Sequence, residues 1–70
     1  MDKIFRISLK AARVNAGMTQ REAAKRIGVS LSTLQNYETG HTIPDWVTVK
    51  KIETAYGVQA DNIFFHENYA

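Results

Sequence analysis

An all-α fold, a compact bundle of five short helices, is the class this sequence predicts, and three observations predict it. Ser8, Thr19, Ser30 and Asp45 each stand before a run with apolar residues at helical spacing, and side chains of this type accept hydrogen bonds from the free N–H groups of a first helical turn. Gly17, Gly28, Gly40 and Gly57 close those runs, glycine being the usual residue just past a helix end. At 70 residues the chain has room for one domain, residues 1–70, and a domain of that size buries only about 60% of its unfolded surface, so the core is small.

Composition narrows the functional classes. There is no cysteine, hence no disulfide framework, thiol nucleophile or Cys-based zinc site. The opening MDKIFRISLK is broken by charges and holds no long apolar run, so it reads neither as a secretory signal nor as a membrane span, and a soluble cytoplasmic protein is expected. Net charge is only +2, but residues 1–30 hold seven Lys/Arg against two acids and residues 31–70 hold two against five. Such asymmetry suits one basic side facing a polyanion.

The first residues are a lead-in from which Ile4, Phe5 and Ile7 can staple the first helix to the core; Lys3 and Arg6 are placed in solvent. Ser8 caps a first helix over about Leu9–Ala16, with Leu9, Ala12 and Ala16 along one face. Asn15-Ala16-Gly17 ends it, and Met18 fills the core beneath the turn.

The second helix opens at Thr19, with Glu22 three residues on. That is the capping-box spacing, in which hydroxyl and carboxylate satisfy two otherwise unpartnered N–H groups. Ala23, Ala24 and Ile27 fall at core spacing, and Gly28 supplies the positive φ that stops the helix. Val29 tucks inward and Ser30 caps a third helix over 31–38, with Gly40 as its stop; the helix-turn-helix unit spans 19–39. The exposed N–H groups at the start of the second helix form a ready phosphate site, and Arg21, in its first turn, is the best placed of Arg21, Lys25 and Arg26 to touch one.

With about 100° of rotation per residue, Leu34, Tyr37 and Glu38 of the third helix fall on one side. Ser32, Gln35, Asn36 and Thr39 fall opposite, with Leu31 and Thr33 on the flanks. The outer face is therefore polar without being charged. Asn and Gln can pair with adenine through two hydrogen bonds, and a Leu or Thr methyl can meet a thymine methyl. An ordinary polar surface helix has the same outline, and this face alone leaves both readings open.

Pro44-Asp45 starts a fourth helix with Asp45 as cap. Trp46, Val49, Ile52 and Tyr56 then follow as a stripe facing the core, and Gly57 ends the helix. Gln59 or Ala60 opens a fifth helix through about Phe64. The aromatics that follow exceed what one small core needs, a surplus that points to a sticky surface; residues 66–70 read as a tail.

Thr19-Gln20, Ala24, Gly28-Val29-Ser30, Leu34, Tyr37-Glu38 and Gly40 together resemble the helix-turn-helix core of the Cro/repressor (XRE-like) DNA-binding proteins. The likeness extends outward to Arg13, Gly17-Met18, Pro44 and Gly57-Val58, and covers roughly residues 8–65. No single residue is diagnostic; the ordered set at these spacings is specific.

The resemblance implies a lambda-repressor-like fold in which Arg13 pairs with Glu38 as an architectural ion pair. It implies that Gln20 contacts the DNA backbone and supports the recognition helix. Base readout falls to Ser32, Gln35 and Asn36, with Leu31 and Thr33 for methyl contacts. Thr19, Gln20, Arg21, Thr39 and His41 are the backbone-contact candidates. Relatives often carry basic residues where His41-Thr42 stand; a histidine is mostly neutral at pH 7, so a weaker grip is expected on that side. Family members often dimerise through the C-terminal region, which makes Phe65 and Tyr69 candidate dimer contacts.

The expected function is sequence-specific recognition of a double-stranded DNA operator by a homodimer on an inverted repeat, as a transcriptional regulator of the phage, prophage or mobile-element repressor type. The competing reading is a protein-interaction module on the same fold, an antitoxin or co-regulator with weak or no DNA specificity. An enzyme is the least favoured class, because no catalytic residue set is found. No metal site is expected, since no second ligand stands at suitable spacing from His41. No cofactor or small-molecule ligand is suggested.

Overall fold

The computed structural model describes residues 6–65. Ile7–Ser8 form a short strand, β1, and four α-helices follow: α1 (Leu9–Asn15), α2 (Gln20–Ile27), α3 (Leu31–Thr39) and α4 (Trp46–Tyr56). A 3-10 turn at Ala60–Asn62 then leads into a second strand, β2 (Ile63–Phe64).

Local chemistry sets the helix ends. Ser8, Thr19, Ser30 and Asp45 each have extended backbone, and each accepts a hydrogen bond from the N–H three residues on. At Thr19 the capping box is complete, with Thr19 N–H donating to Glu22 Oε1 at 2.9 Å and Glu22 N–H to Thr19 Oγ1 at 3.1 Å. Gly28 and Gly40 close α2 and α3 in the left-handed region, at φ 89° and 83°. A side chain with a Cβ is strained there.

The core gathers Leu9 and Ala12 of α1, Ala23, Ala24 and Ile27 of α2, Leu34 of α3, Ile52 and Tyr56 of α4, and Ile63 of β2. Ile7, Met18, Val29, Tyr37 and Phe65 pack around it half-buried. Packing of α2 on α3 and of α2 on α4 makes α2 the central helix.

Three sequence expectations are corrected. The fifth helix is a 3-10 turn and a strand instead. Gln59 supplies no side-chain cap, Ala60 N–H is taken by Glu53 Oε2 at 2.7 Å, and Ile63 turns extended to pair in parallel with Ile7. A β-branched and an aromatic residue suit that pleated pairing. Trp46 does not face the core; it is 69% exposed. Burial along its stripe rises toward the C-terminal end, through half-buried Val49 to buried Ile52 and Tyr56. Ala16 is likewise exposed, as the residue that caps α1 rather than part of its inner face. Ile4, Phe5 and Lys3 lie outside the described residues.

Candidate nucleic-acid interface

The outer face of α3 is presented by a hydrogen-bonded chain beneath it. Arg13 Nε donates to Glu38 Oε2 at 2.6 Å and Nη2 to Oε1 at 3.3 Å, a two-pronged pair whose side chains are 8% and 4% exposed. Arg13 Nη1 also donates to the Met18 carbonyl at 2.9 Å. Glu38 Oε1 accepts a further bond from Gln20 Nε2 at 3.0 Å. Gln20 Oε1 in turn accepts from Gln35 Nε2 at 3.3 Å. The chain runs from α1 through the C-terminal turn of α3 and the first residue of α2, and back to the outer face of α3. Charged groups this far buried are tolerable only when their hydrogen bonds are met.

Of the residues expected to read bases, Ser32 and Gln35 are exposed, while Leu31, Thr33 and Asn36 are half-buried. The Thr33 hydroxyl accepts from Ser30 Oγ at 2.8 Å, which leaves its O–H donor and its methyl to meet a ligand. Thr39 is exposed, and its hydroxyl donates to the Asn36 carbonyl at 3.3 Å. That carbonyl also accepts from His41 N–H at 2.8 Å and Thr42 N–H at 3.3 Å. The loop after α3 is thus tied to the end of the helix, with the His41 side chain exposed. Among the described residues, no group bonds the Asn36 side-chain amide.

The start of α2 is altered by its own cap. Thr19 N–H is held by Glu22, and the Thr19 hydroxyl is occupied as an acceptor. The amides of Gln20 and Arg21 are the first-turn donors that this cap leaves over. Hydrogen bonds from the Thr19 backbone and side chain hold the Glu22 carboxyl below its ordinary range, so it is ionised beside this donor pair. Arg26 favours that charge, and Arg21 and Lys25 are exposed on the same helix. Phe65 is half-buried against the core; Tyr69 and the 66–70 tail lie outside the described residues.

Sequence reasoning missed the Gln20–Gln35 bond. Its signal, two glutamines of which one opens α2 and the other lies mid-way along α3, becomes readable only when the angle between the helices is known. Among the described residues, no group of three or more His, Asp or Glu is arranged to hold a metal, and no helix is long and apolar enough to cross a membrane.

A family model described as helix-turn-helix matches residues 9–63. The chain is 42% identical over 53 residues to the HTH-type transcriptional regulator ImmR of Bacillus subtilis (76% of this chain, 42% of ImmR). It is 35% identical over 60 residues to the uncharacterized HTH-type transcriptional regulator MJ0272 of Methanocaldococcus jannaschii (86% of this chain, 91% of MJ0272). With multiprotein-bridging factor 1c of Arabidopsis thaliana it shares 31% over 62 residues (84% of this chain, 42% of that protein). The chain thus spans under half the length of ImmR and of the Arabidopsis protein. No solved structure matches it.

Proposed function

The chain belongs to the helix-turn-helix family, in its Cro/repressor (XRE-like) form, and on that premise we propose that it is a sequence-specific double-stranded DNA-binding transcriptional regulator. The observation that carries this reading is the uncharged polar face of α3, fixed from below by the Arg13–Glu38–Gln20–Gln35 chain. A reading helix has to present its amides in one orientation, and such a support gives it one.

On this reading α3 enters the major groove, with Ser32, Gln35 and Asn36 on base edges and Leu31 and the Thr33 methyl on thymine methyls. The free amides at the start of α2, with Gln20, Arg21, Thr19, Thr39 and His41, position the phosphate backbone. Residues 1–70 act as one domain. It binds as a homodimer, with Phe65 and Tyr69 among the contacts, on an inverted repeat whose half-sites lie about one DNA turn apart. A repressor of the phage, prophage or mobile-element type is the role we assign.

Selection of bound sequences from random duplex DNA, followed by titration of the winner across a salt series, tests the proposal. A palindromic motif with a steep salt slope is expected. No enrichment, with only weak binding that vanishes near physiological salt, would overturn it.

A further inference from the structure

Away from the reading face, the end of α2 and the outer side of α4 enclose an open groove of about 560 Å³. Arg26, Trp46, Val47, Lys50, Lys51 and Thr54 line it, and no residue of α3 does. Its floor is apolar and uncovered, with Trp46 69% and Val47 61% exposed. Its rim is cationic. Lys50 Nζ stands 5.2 Å from the centre of the Trp46 ring and 3.0 Å from Glu53 Oε1. Among the described residues, Arg26 and Lys51 enter no ion pair.

We propose that this groove docks an acidic amphipathic segment of a partner protein, one that seats Leu or aromatic anchors on Trp46 and Val47 and sets carboxylates against Arg26 and Lys51. Tryptophan and arginine are the residue types that dominate binding energy at interfaces, and an amphipathic helix laid in a groove presents anchors and charges in this alternation. Charge weighs against the obvious rivals. A second copy laid groove to groove would bring one cationic rim close to another, which disfavours self-association there. A DNA backbone would satisfy the cations but would cover the indole and the valine with phosphate, and an apolar floor gains nothing from that. The inference does not depend on DNA reading by α3.

Trp46 is the only tryptophan in the chain, so its fluorescence reports the groove directly. The probes are a synthetic amphipathic helix of Leu and Glu and its counterpart with Lys in place of each Glu. The Leu/Glu peptide is expected to shift Trp46 emission to the blue saturably, and the Leu/Lys peptide to leave it unmoved. Arg26→Glu and Lys51→Glu, both at exposed positions, are expected to weaken the Leu/Glu peptide about tenfold or more, with melting curves that show each variant still folded at the assay temperature. Equal shifts with both peptides, or none with either, would overturn the proposal. So would a blue shift that grows with protein concentration alone and tracks a dimer in sedimentation, which would make the groove a self-association face. A shift produced by duplex DNA and lost in Lys51→Glu would overturn it in favour of a nucleic-acid contact.

Discussion

Arg13 and Glu38 lie 25 positions apart in the chain and meet Nε to Oε2 at 2.6 Å, with both side chains more than nine-tenths buried. The pair joins α1 to the last turn of α3, so α3 is held at its C-terminal end by a helix that precedes the whole helix-turn-helix. Arg13→Ala leaves Glu38 buried without its cation and is expected to destabilise by about 3–5 kcal/mol. A domain of this size has little more than that in reserve, so the milder Glu38→Gln is the companion variant. Arg13→Met with Glu38→Leu is expected to recover part of the loss, since the Met18 carbonyl and the Gln20 amide lose their partners. Urea denaturation of the four proteins checks this; an Arg13→Ala cost under about 1 kcal/mol would place the pair at the level of a solvent-exposed one.

Gln35 and Asn36 are expected to differ in how they fail. Each, changed to Ala, should lose about 1–3 kcal/mol of discrimination at one base position. Because Gln35 donates to Gln20, Gln20→Ala should also blur the Gln35 position although Gln20 reads no base. Asn36, whose side chain has no such support, should be unaffected by it. Binding-site selection with each variant tests this, and a Gln20→Ala preference identical to wild type would show that the support is idle.

Arg21 is expected to contribute grip without preference. Arg21→Ala should weaken all sequences alike and flatten the salt slope by about 0.9 for each phosphate that the arginine had neutralised. Titrations of cognate and unrelated duplexes at several salt concentrations separate this from base reading, whose removal would fall on the cognate duplex alone.

Tyr56 carries a buried hydroxyl with no hydrogen-bond partner among the described residues. Burial, followed by the negative field of Glu38, pushes its pKa up to about 12, with Arg13 opposing. The folded state therefore favours the neutral phenol. That contribution is fully present below the ordinary value of 10.0 and is lost as pH rises toward about 12. Tyr56→Phe should be neutral or stabilising near pH 7, since removing an unsatisfied polar group relieves up to about 1–3 kcal/mol. It should also remove the alkaline loss. Thermal melts of both proteins from neutral to strongly alkaline pH decide the matter.

At acid pH the signs reverse. The Glu22, Asp45 and Glu53 carboxyls are each held below their ordinary range, chiefly by hydrogen bonds from Thr19, Thr48 and Ala60 respectively. Their contribution is present above the ordinary carboxylate range and is lost as pH falls through the lowered values. Asp45→Asn and Glu22→Gln should shrink the acid-induced drop in melting temperature, and an acid limb as steep as wild type would count against these caps.

Helix starts and stops were legible because they are local: a hydroxyl or carboxylate three residues before its N–H, a glycine where φ turns positive. The Arg13–Glu38 pair came from resemblance rather than from spacing, since nothing in the sequence joins positions 25 apart. What periodicity could not say is how far a neighbour extends. It placed Trp46 and Ile52 on one side of α4, but only the second half of that side is covered. Nor could it find a strand at Ile63, whose extended backbone is settled by a partner at Ile7. The link from Gln20 to Gln35 depends on the angle between two helices, which no local rule supplies.

The β1–β2 pair has a consequence for the order in which the molecule is made. Ile7 and Ser8 wait, during synthesis, for Ile63 and Phe64, so the clasp closes only after all four helices have been translated. Closing so long a loop is entropically the most demanding contact in the fold, whereas α2 and α3 are neighbours joined by a tight turn. A released chain cut short before Ile63 would hold a helix-turn-helix with α1 unclasped along one edge. Docking of α1 in such a chain would rest on Leu9, Ala12 and the Arg13–Glu38 pair.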